Sequence, residues 1–457
     1  MKLKSLLYGT AAVLVSTGAT NVALAADLPV AAEPIDYVRV CDAFGKGYYY
    51  IPGTDTCLRV NGRVRIRAFI RDNDDSDDDT DHYTTYARAY INMDARTQTD
   101  LGLLRSYFSF RHTFGDNGVS TSNYDQSYTV GGTRNVLDEA FISLSNDMGQ
   151  LIVGKTSSFF DFFGGYTYTG NGGYDQTDDA NLFAYTFNIG NGVSTTLSLE
   201  DPYASFRKNG RGGVTLGGAL FPYTDPDGNS YSFGAIYGGQ DIPDIVANLR
   251  VDQGWGSAQI MGALRRIETK EDVRIVTGTS TMTTMTVTPF LATITNTYVQ
   301  ATATTGFSDD DWGWAVGAGL EVNIPGAPVS LAVQGGYSEG APSYVSQAPA
   351  ELVDAILGPG GLELTEVWQV GAGVSIAASS TVKINIDGAY GDVDHAGTVY
   401  DYDYWGVAGV IEWKPVSGLA VGAEIQYTEV NPGINLADTE ISDDDSWQLT
   451  INFQRDF

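Results

Sequence analysis

Arg63, Arg65 and Arg67 occupy alternate positions of one short stretch, and Arg88, Arg105 and Arg111 follow soon after. Farther along, Asp161, Asp175, Asp178 and Asp179 crowd into the stretch 156–181. Guanidinium and carboxylate groups held on facing surfaces act on passing ions through their field and make or break no bond. A second arrangement stays open, in which the arginines pair with acids such as Asp94 and Glu139 and merely satisfy charge.

Residues for bond-making chemistry lack useful spacing. His82, His112 and His395 are scattered, so no Ser/His/Asp or Cys/His arrangement and no metal-ligand set can be argued. Gly131-Gly132 and Gly170 to Gly173 lack the lysine followed by Ser or Thr that a phosphate loop needs. With 56 acids in the chain, any carboxylate pair is uninformative about catalysis. The acidic run Asp72 to Asp81 lacks the central Gly and closing Glu of a calcium loop, and reads as a solvated loop. Loose divalent cations bridging it to anionic headgroups are the alternative. The expectation is no enzyme, no cofactor and no metal.

The amino terminus carries basic Lys2 and Lys4, an apolar run from Leu6 to Val15, and the small-residue site Ala23-Leu24-Ala25. That is the form of an export signal over residues 1–25, too short in its apolar part to span a bilayer. Its removal leaves 26 − 2 = 24 basic against 56 acidic residues, a net charge of 24 − 56 = −32. Such a charge excludes nucleic acid as a partner. Cys41 and Cys57 are the only cysteines. In an exported chain they read as a local disulfide within an amino-terminal periplasmic segment, 26–57.

The elements that must position the charges are strands. From Leu58 to Ile70, Leu58, Val60, Val64, Ile66, Ala68 and Ile70 alternate with Arg59, Asn61, Arg63, Arg65 and Arg67, a period of two. Alternation alone does not say which face is inside. Connection lengths help, because transmembrane barrels have short periplasmic turns and long outer loops. Short connections fall at Thr99-Asp100, Asp147-Met148, Gly190 to Gly192, Gln253-Gly254, Pro325-Gly326, Ala377 to Ser380 and Pro415 to Gly418. Long ones cover 71–82, 115–134, 156–181, 201–243, 269–311, 339–365, 392–402 and 430–445. Seven turns and eight loops need sixteen strands. A hairpin from Gly212–Leu220 and Tyr231–Gly238 would raise the count to eighteen.

The expected fold is therefore all-β, an antiparallel transmembrane barrel over 58–457. Neighbouring strands about 4.8 Å apart would gather Arg63, Arg65, Arg67, Arg88, Arg105 and Arg111 into one basic wall. Trp312, Trp314, Trp368, Tyr404, Trp405, Trp413, Tyr427 and Trp447, near strand ends, are expected to form interfacial aromatic girdles.

Trp447, Leu449, Ile451 and Phe453 alternate with polar residues up to the final Phe457. This resembles the terminal signal by which assembly machinery recognises outer-membrane barrels, with Arg455 able to snorkel at the rim. The opening Tyr37-Val38-Arg39-Val40-Cys41-Asp42-Ala43, continuing through Tyr48 to Thr54 and on to Cys57-Leu58-Arg59-Val60, resembles that of the alphaproteobacterial porin family. The closing Phe453 to Phe457 and the stretch Gly154 to Asp161 are similar to that family's ending and to the start of its third loop. The resemblance implies a sixteen-stranded barrel with an inward-folded third loop, a homotrimer in outer-membrane lipid, and passive diffusion of small hydrophilic solutes and ions. It also implies that Asp161, Asp175, Asp178 and Asp179 face the basic wall across a constriction. The stretch 201–311 matches nothing in the family. An adhesin or structural barrel with long surface loops is the alternative.

Overall fold

The computed structural model describes residues 39–73, 83–115, 133–202, 238–269, 309–347, 352–358, 361–395, 401–432 and 444–457, with short strands inside the long loops between 214 and 307. The expected signal at 1–25 and most of the acidic run 72–81 lie outside the described residues.

The alternating stretches form sixteen strands. They are β1 (Cys57–Asn73), β2 (Tyr83–Thr99), β3 (Gly102–Phe114), β4 (Thr133–Asn146), β5 (Gly149–Ser157), β6 (Asp179–Gly190), β7 (Val193–Asp201) and β8 (Asp244–Gln253). There follow β9 (Gly256–Glu268), β10 (Asp310–Asn323), β11 (Val329–Glu339), β12 (Glu366–Ala377), β13 (Val382–Asp394), β14 (Tyr402–Val416), β15 (Leu419–Pro432) and β16 (Asp444–Asp456). Each pairs antiparallel with the next, and β1 closes the sheet on β16 from Arg63↔Asp456 to Asn73↔Ser446. Closure leaves no edge strand in the barrel wall, the condition for a sheet in a bilayer.

All seven expected turns join neighbouring strands, and the eight long connections lie at the other end. The count is sixteen, because β7 pairs directly with β8 from Asp244↔Glu200 to Val251↔Val193. Within 201–243, Val214–Leu216 pairs instead with Ala355–Gly358 in another long loop.

The apolar set faces outward: Val60, Val64, Ile66 and Ile70 are each 43–50% exposed, as a lipid-facing band requires. Outward aromatics follow one another over seven adjacent strands. Trp314 packs on Tyr337, Trp368 on Tyr390, and Trp405 on Tyr427, which packs on Trp447. Trp255 and Trp413 are exposed beside the short turns, where the other interface falls. Tyr404 corrects the expected girdle. It sits at an inward position of β14, is fully buried, and donates its hydroxyl to Gln369 at 2.6 Å. Its one-residue offset from Trp405 puts it on the opposite face.

Cys41 and Cys57 form a disulfide with Cα atoms 6.0 Å apart. It closes a small lobe around buried Tyr48, whose hydroxyl donates to Asp94 at 2.8 Å. Asp94 is an inward residue near the short-turn end of β2, so the lobe sits against the mouth of the barrel at that end.

Two long loops fold inward. The third, 158–178, and the described residues 340–347 and 352–358 of the sixth bring Phe160, Tyr174, Tyr344, Val345 and Leu352 into one buried cluster with Val246, Met261 and Tyr404 of the wall. Part of the bore thus has an apolar core of its own.

Candidate functional site

The third loop is fixed by groups of the wall that accept or donate to its backbone. Asp387 of β13 accepts from Tyr166 N at 2.5 Å, Thr167 N at 2.7 Å, Thr167 Oγ1 at 2.7 Å and Gly172 N at 3.0 Å. Gln334 of β11 accepts from Phe163 N at 2.6 Å, Glu200 of β7 from Phe159 N at 3.0 Å, and Glu424 of β15 from Tyr168 N. Asn248 and Asn385 donate to the Phe159 and Tyr166 carbonyls. A loop inside a barrel must satisfy its peptide groups without a ladder, and these side chains do so.

Wall glycines make the room. A Cβ on Gly319 of β10 would stand 2.1 Å from the Phe162 ring, and one on Gly422 of β15 would stand 2.1 Å from the Tyr168 hydroxyl. Gly371 and Gly373 of β12 meet Asn171, Phe163 and Tyr166 in the same way. The loop follows the wall from β7 round to β15, where the Arg67 guanidinium lies 4.8 Å from the Tyr168 ring centre.

The remaining side of the bore, around β1 to β4, carries the arginines. Nε of Arg63, Arg65 and Arg67 bonds to Asp456, Gln454 and Asn452, their register partners on β16, at 2.6, 3.0 and 3.0 Å. Arg88 donates to Thr113 at 2.8 Å, and Arg111 pairs with Asp138 at 3.0 Å. Arg105 departs from this wall. It joins Arg59 and Arg96 around Asp94, at 3.1, 3.6 and 2.9 Å, and Asp94 is 1% exposed. Arg105 is thus ion-paired, as Arg63 is with Asp456 and Arg111 with Asp138.

The four loop aspartates separate in the same manner. Asp161 Oδ2 accepts from Asp178 N at 2.7 Å, closing the loop at its base, and Asp178 Oδ1 accepts from Asp179 N at 2.8 Å. Asp175 accepts from Thr177 N and Oγ1 at 2.8 and 2.7 Å inside the loop. Burial raises its carboxyl to about 6 against the lowering effect of those two donors. Asp179, at the start of β6, faces a cavity of about 880 Å³ beside the arginine wall.

That cavity is also lined by Arg63, Arg111, Asp138 and Glu139. Asp138 and Glu139 are consecutive, so regular pleating would put them on opposite faces. A β-bulge intervenes: Ser109 of β3 pairs with Glu139 and Phe110 with Leu137, leaving Asp138 as the extra residue. Both carboxylates then reach the bore. Period-two reading of the sequence passes over Asp138 because the bulge is a property of the pairing with β3.

A closed sixteen-strand sheet with an apolar exterior and a charged bore defines a transmembrane channel of the outer membrane. The porin subfamily model matches residues 27–450, and the chain belongs to that family. It is 29% identical over 470 residues to the porin Omp2b of Brucella suis, and 29% identical over 467 residues to that of Brucella abortus strain 2308. In both alignments the whole of each chain is covered. Among solved structures, the outer membrane channel DcaP of Acinetobacter baumannii superposes with a TM-score of 0.60 at 13% identity, covering 89% of this chain and 99% of the other. OprB of Pseudomonas putida gives 0.50 at 11% identity, covering 88% and 94%. The protein is an outer-membrane porin, a water-filled channel for passive diffusion of small hydrophilic solutes and ions.

Proposed function

We propose that ions and solutes pass along the arginine side of the bore, between Arg63, Arg65, Arg67 and Arg88 of β1 and β2 and the acids Asp138, Glu139 and Asp179 of β4 and β6, with Arg111 paired to Asp138. The observation that carries this reading is the division of the bore: the loop is held on β7 to β15, and a polar cavity stays open beside the arginines. Opposed charges across that cavity orient polar solutes and discourage apolar ones. Five cations there meet four carboxylates once Asp456, paired with Arg63, is counted with Asp138, Glu139 and Asp179, and the many acids outside the constriction tip the preference weakly toward cations. Screening over about 8 Å at physiological salt, and about 3 Å at 1 M, makes that preference strongest in dilute salt.

The pore performs no chemistry on what it passes. It works as a homotrimer, and the barrel-assembly machinery reads Phe457 as its insertion signal. Phe457 extends β16 by exchanging backbone hydrogen bonds with Gly62 at 2.9 and 3.0 Å. The chain divides into a signal at 1–25, a disulfide-bearing periplasmic segment at 26–57 and the barrel at 58–457. An adhesin with a plugged bore is the rival reading, and the open cavity favours the channel. Planar-bilayer recording in a salt gradient tests this: discrete conductance steps with a small cation-directed reversal potential are expected, and an absence of steps defeats it.

A further inference from the structure

Arg265 of β9 is fully buried, although arginine rarely is. Its guanidinium reaches Asp244 of β8 at 2.9 Å and Asp354 of the sixth loop at 3.0 Å. It also donates to Ser343 at 3.2 Å and lies 5.1 Å from the Tyr344 ring centre, both in the sixth loop. The Tyr344 hydroxyl in turn donates to Asp244 at 2.9 Å. One buried cation therefore holds two separate parts of the sixth loop to the barrel wall.

From there the sixth loop lies on the third. Tyr344 packs on Phe160 with ring centres 5.1 Å apart, and Gln347 donates to the Thr177 carbonyl at 3.2 Å. Ser346 bonds the Tyr404 hydroxyl on β14, so the loop reaches from β9 to β14. Below, at the short-turn end of the same side, a polar cavity of about 720 Å³ is lined by Arg250, Asp252, Ser257 and Glu321. The Arg250 guanidinium lies 5.3 Å from the ring centre of Phe162 in the third loop.

We propose that the sixth loop is a second constriction element and that Arg265, through Asp354, is the positioning residue that sets the pore's exclusion limit. Latched by Arg265, the sixth loop clamps the third loop against the wall and closes that half of the bore, so the cavity beneath it carries no current. The inference rests on the channel reading above. Breaking a buried pair from one side is strongly disruptive where the partner stays buried. Asp354→Ala leaves Arg265 paired with Asp244 and bonded to Ser343, and releases only the loop's second attachment, around 354, from the wall.

The test is single-channel conductance and current noise in planar bilayers, with swelling rates of proteoliposomes in sugars of increasing size. Asp354→Ala should raise conductance by up to about twofold, as the part of the blocked half that the sixth loop holds shut opens, and admit larger sugars. Replacing 341–364 by a short Gly-Ser connection between β11 and β12 should do the same, and decides the matter if Asp354→Ala does not assemble. Unchanged or lowered conductance with an unchanged sugar limit in folded variants overturns the proposal. A wild-type protein without conductance steps would instead overturn the channel reading itself.

Discussion

The two sides of the bore share one outward habit and differ inward. Both present alternating apolar residues to lipid, but β1 to β3 point long cationic side chains inward, while β10 to β15 point glycines, amides and carboxylates. The glycines leave space, and Gln334, Asp387 and Glu424 offer acceptors to peptide N–H groups, so a chain segment can lie there fully satisfied. Arginines, tethered by Nε to β16, occupy their space and offer a peptide donor nothing to bond. What fills a barrel, water or protein, is decided by the inward half of each strand's alternation.

The sharpest way to break this contrast is to remove the acceptor that the loop shares most. Asp387→Ala deprives four donors of their partner, each worth about 1 kcal/mol. The third loop should leave the wall, with single-channel conductance changing by more than the about twofold effect expected of the sixth loop. A variant with wild-type conductance and noise would show that the remaining wall groups, among them Gln334, Glu200 and Glu424, hold the loop without it.

Next come the charges. Changing Arg63, Arg65 and Arg67 together to Ser should widen the pore and shift reversal potentials severalfold toward cations. Asp138→Asn with Glu139→Gln should move them toward anions. Asp179→Asn should contribute to that anion shift, whereas Asp161→Asn and Asp175→Asn should do little, since those carboxylates bond within the loop. Equal shifts from all four loop aspartates would contradict this division.

A smaller effect is expected at the mouth. Replacing Cys41 and Cys57 by Ser removes a cross-link of sequence separation 16, worth about 3 kcal/mol by loop entropy. Protease sensitivity of the segment around Tyr48 should rise while the barrel's melting stays nearly constant. Equal resistance in the oxidised and Ser-substituted proteins would mean that the Tyr48–Asp94 contact suffices.

The smallest concerns pH. Asp175 has its carboxyl raised to about 6 in the docked loop, against about 3.9 for a free aspartate. A raised value means the docked state holds the proton more tightly. The stabilisation is fully present below about pH 3.9 and is lost as pH rises through 6. Current noise from loop motion should therefore grow between about pH 4 and pH 6, and Asp175→Asn should abolish that growth. Noise with the same pH dependence in both proteins would assign it to other groups.

Much of the wall was legible because its signals are local. Turns such as Asp147-Met148 and Pro325-Gly326 carry their own chemistry, and alternation in β1 or β16 needs no partner to be seen. The filling of the bore was not, because Arg265 and Asp354 lie 89 positions apart and Asp387 meets Tyr166 across 221. Nothing local to Asp387 marks it as an anchor. Tyr404 misled for a related reason, since an aromatic near a strand end suits a girdle until its face is counted against Trp405.

The bulge at Asp138 has a consequence for how such a pore can vary. On either side of it, Leu137 and Ala140 both face lipid, so the pleat has already absorbed the extra residue. Loss of that one residue would restore regular pairing and leave every other side chain of β4 on its present face. At this point of the wall, a gain or loss of one codon alters the charge of the passage while the surface offered to the bilayer keeps its pattern.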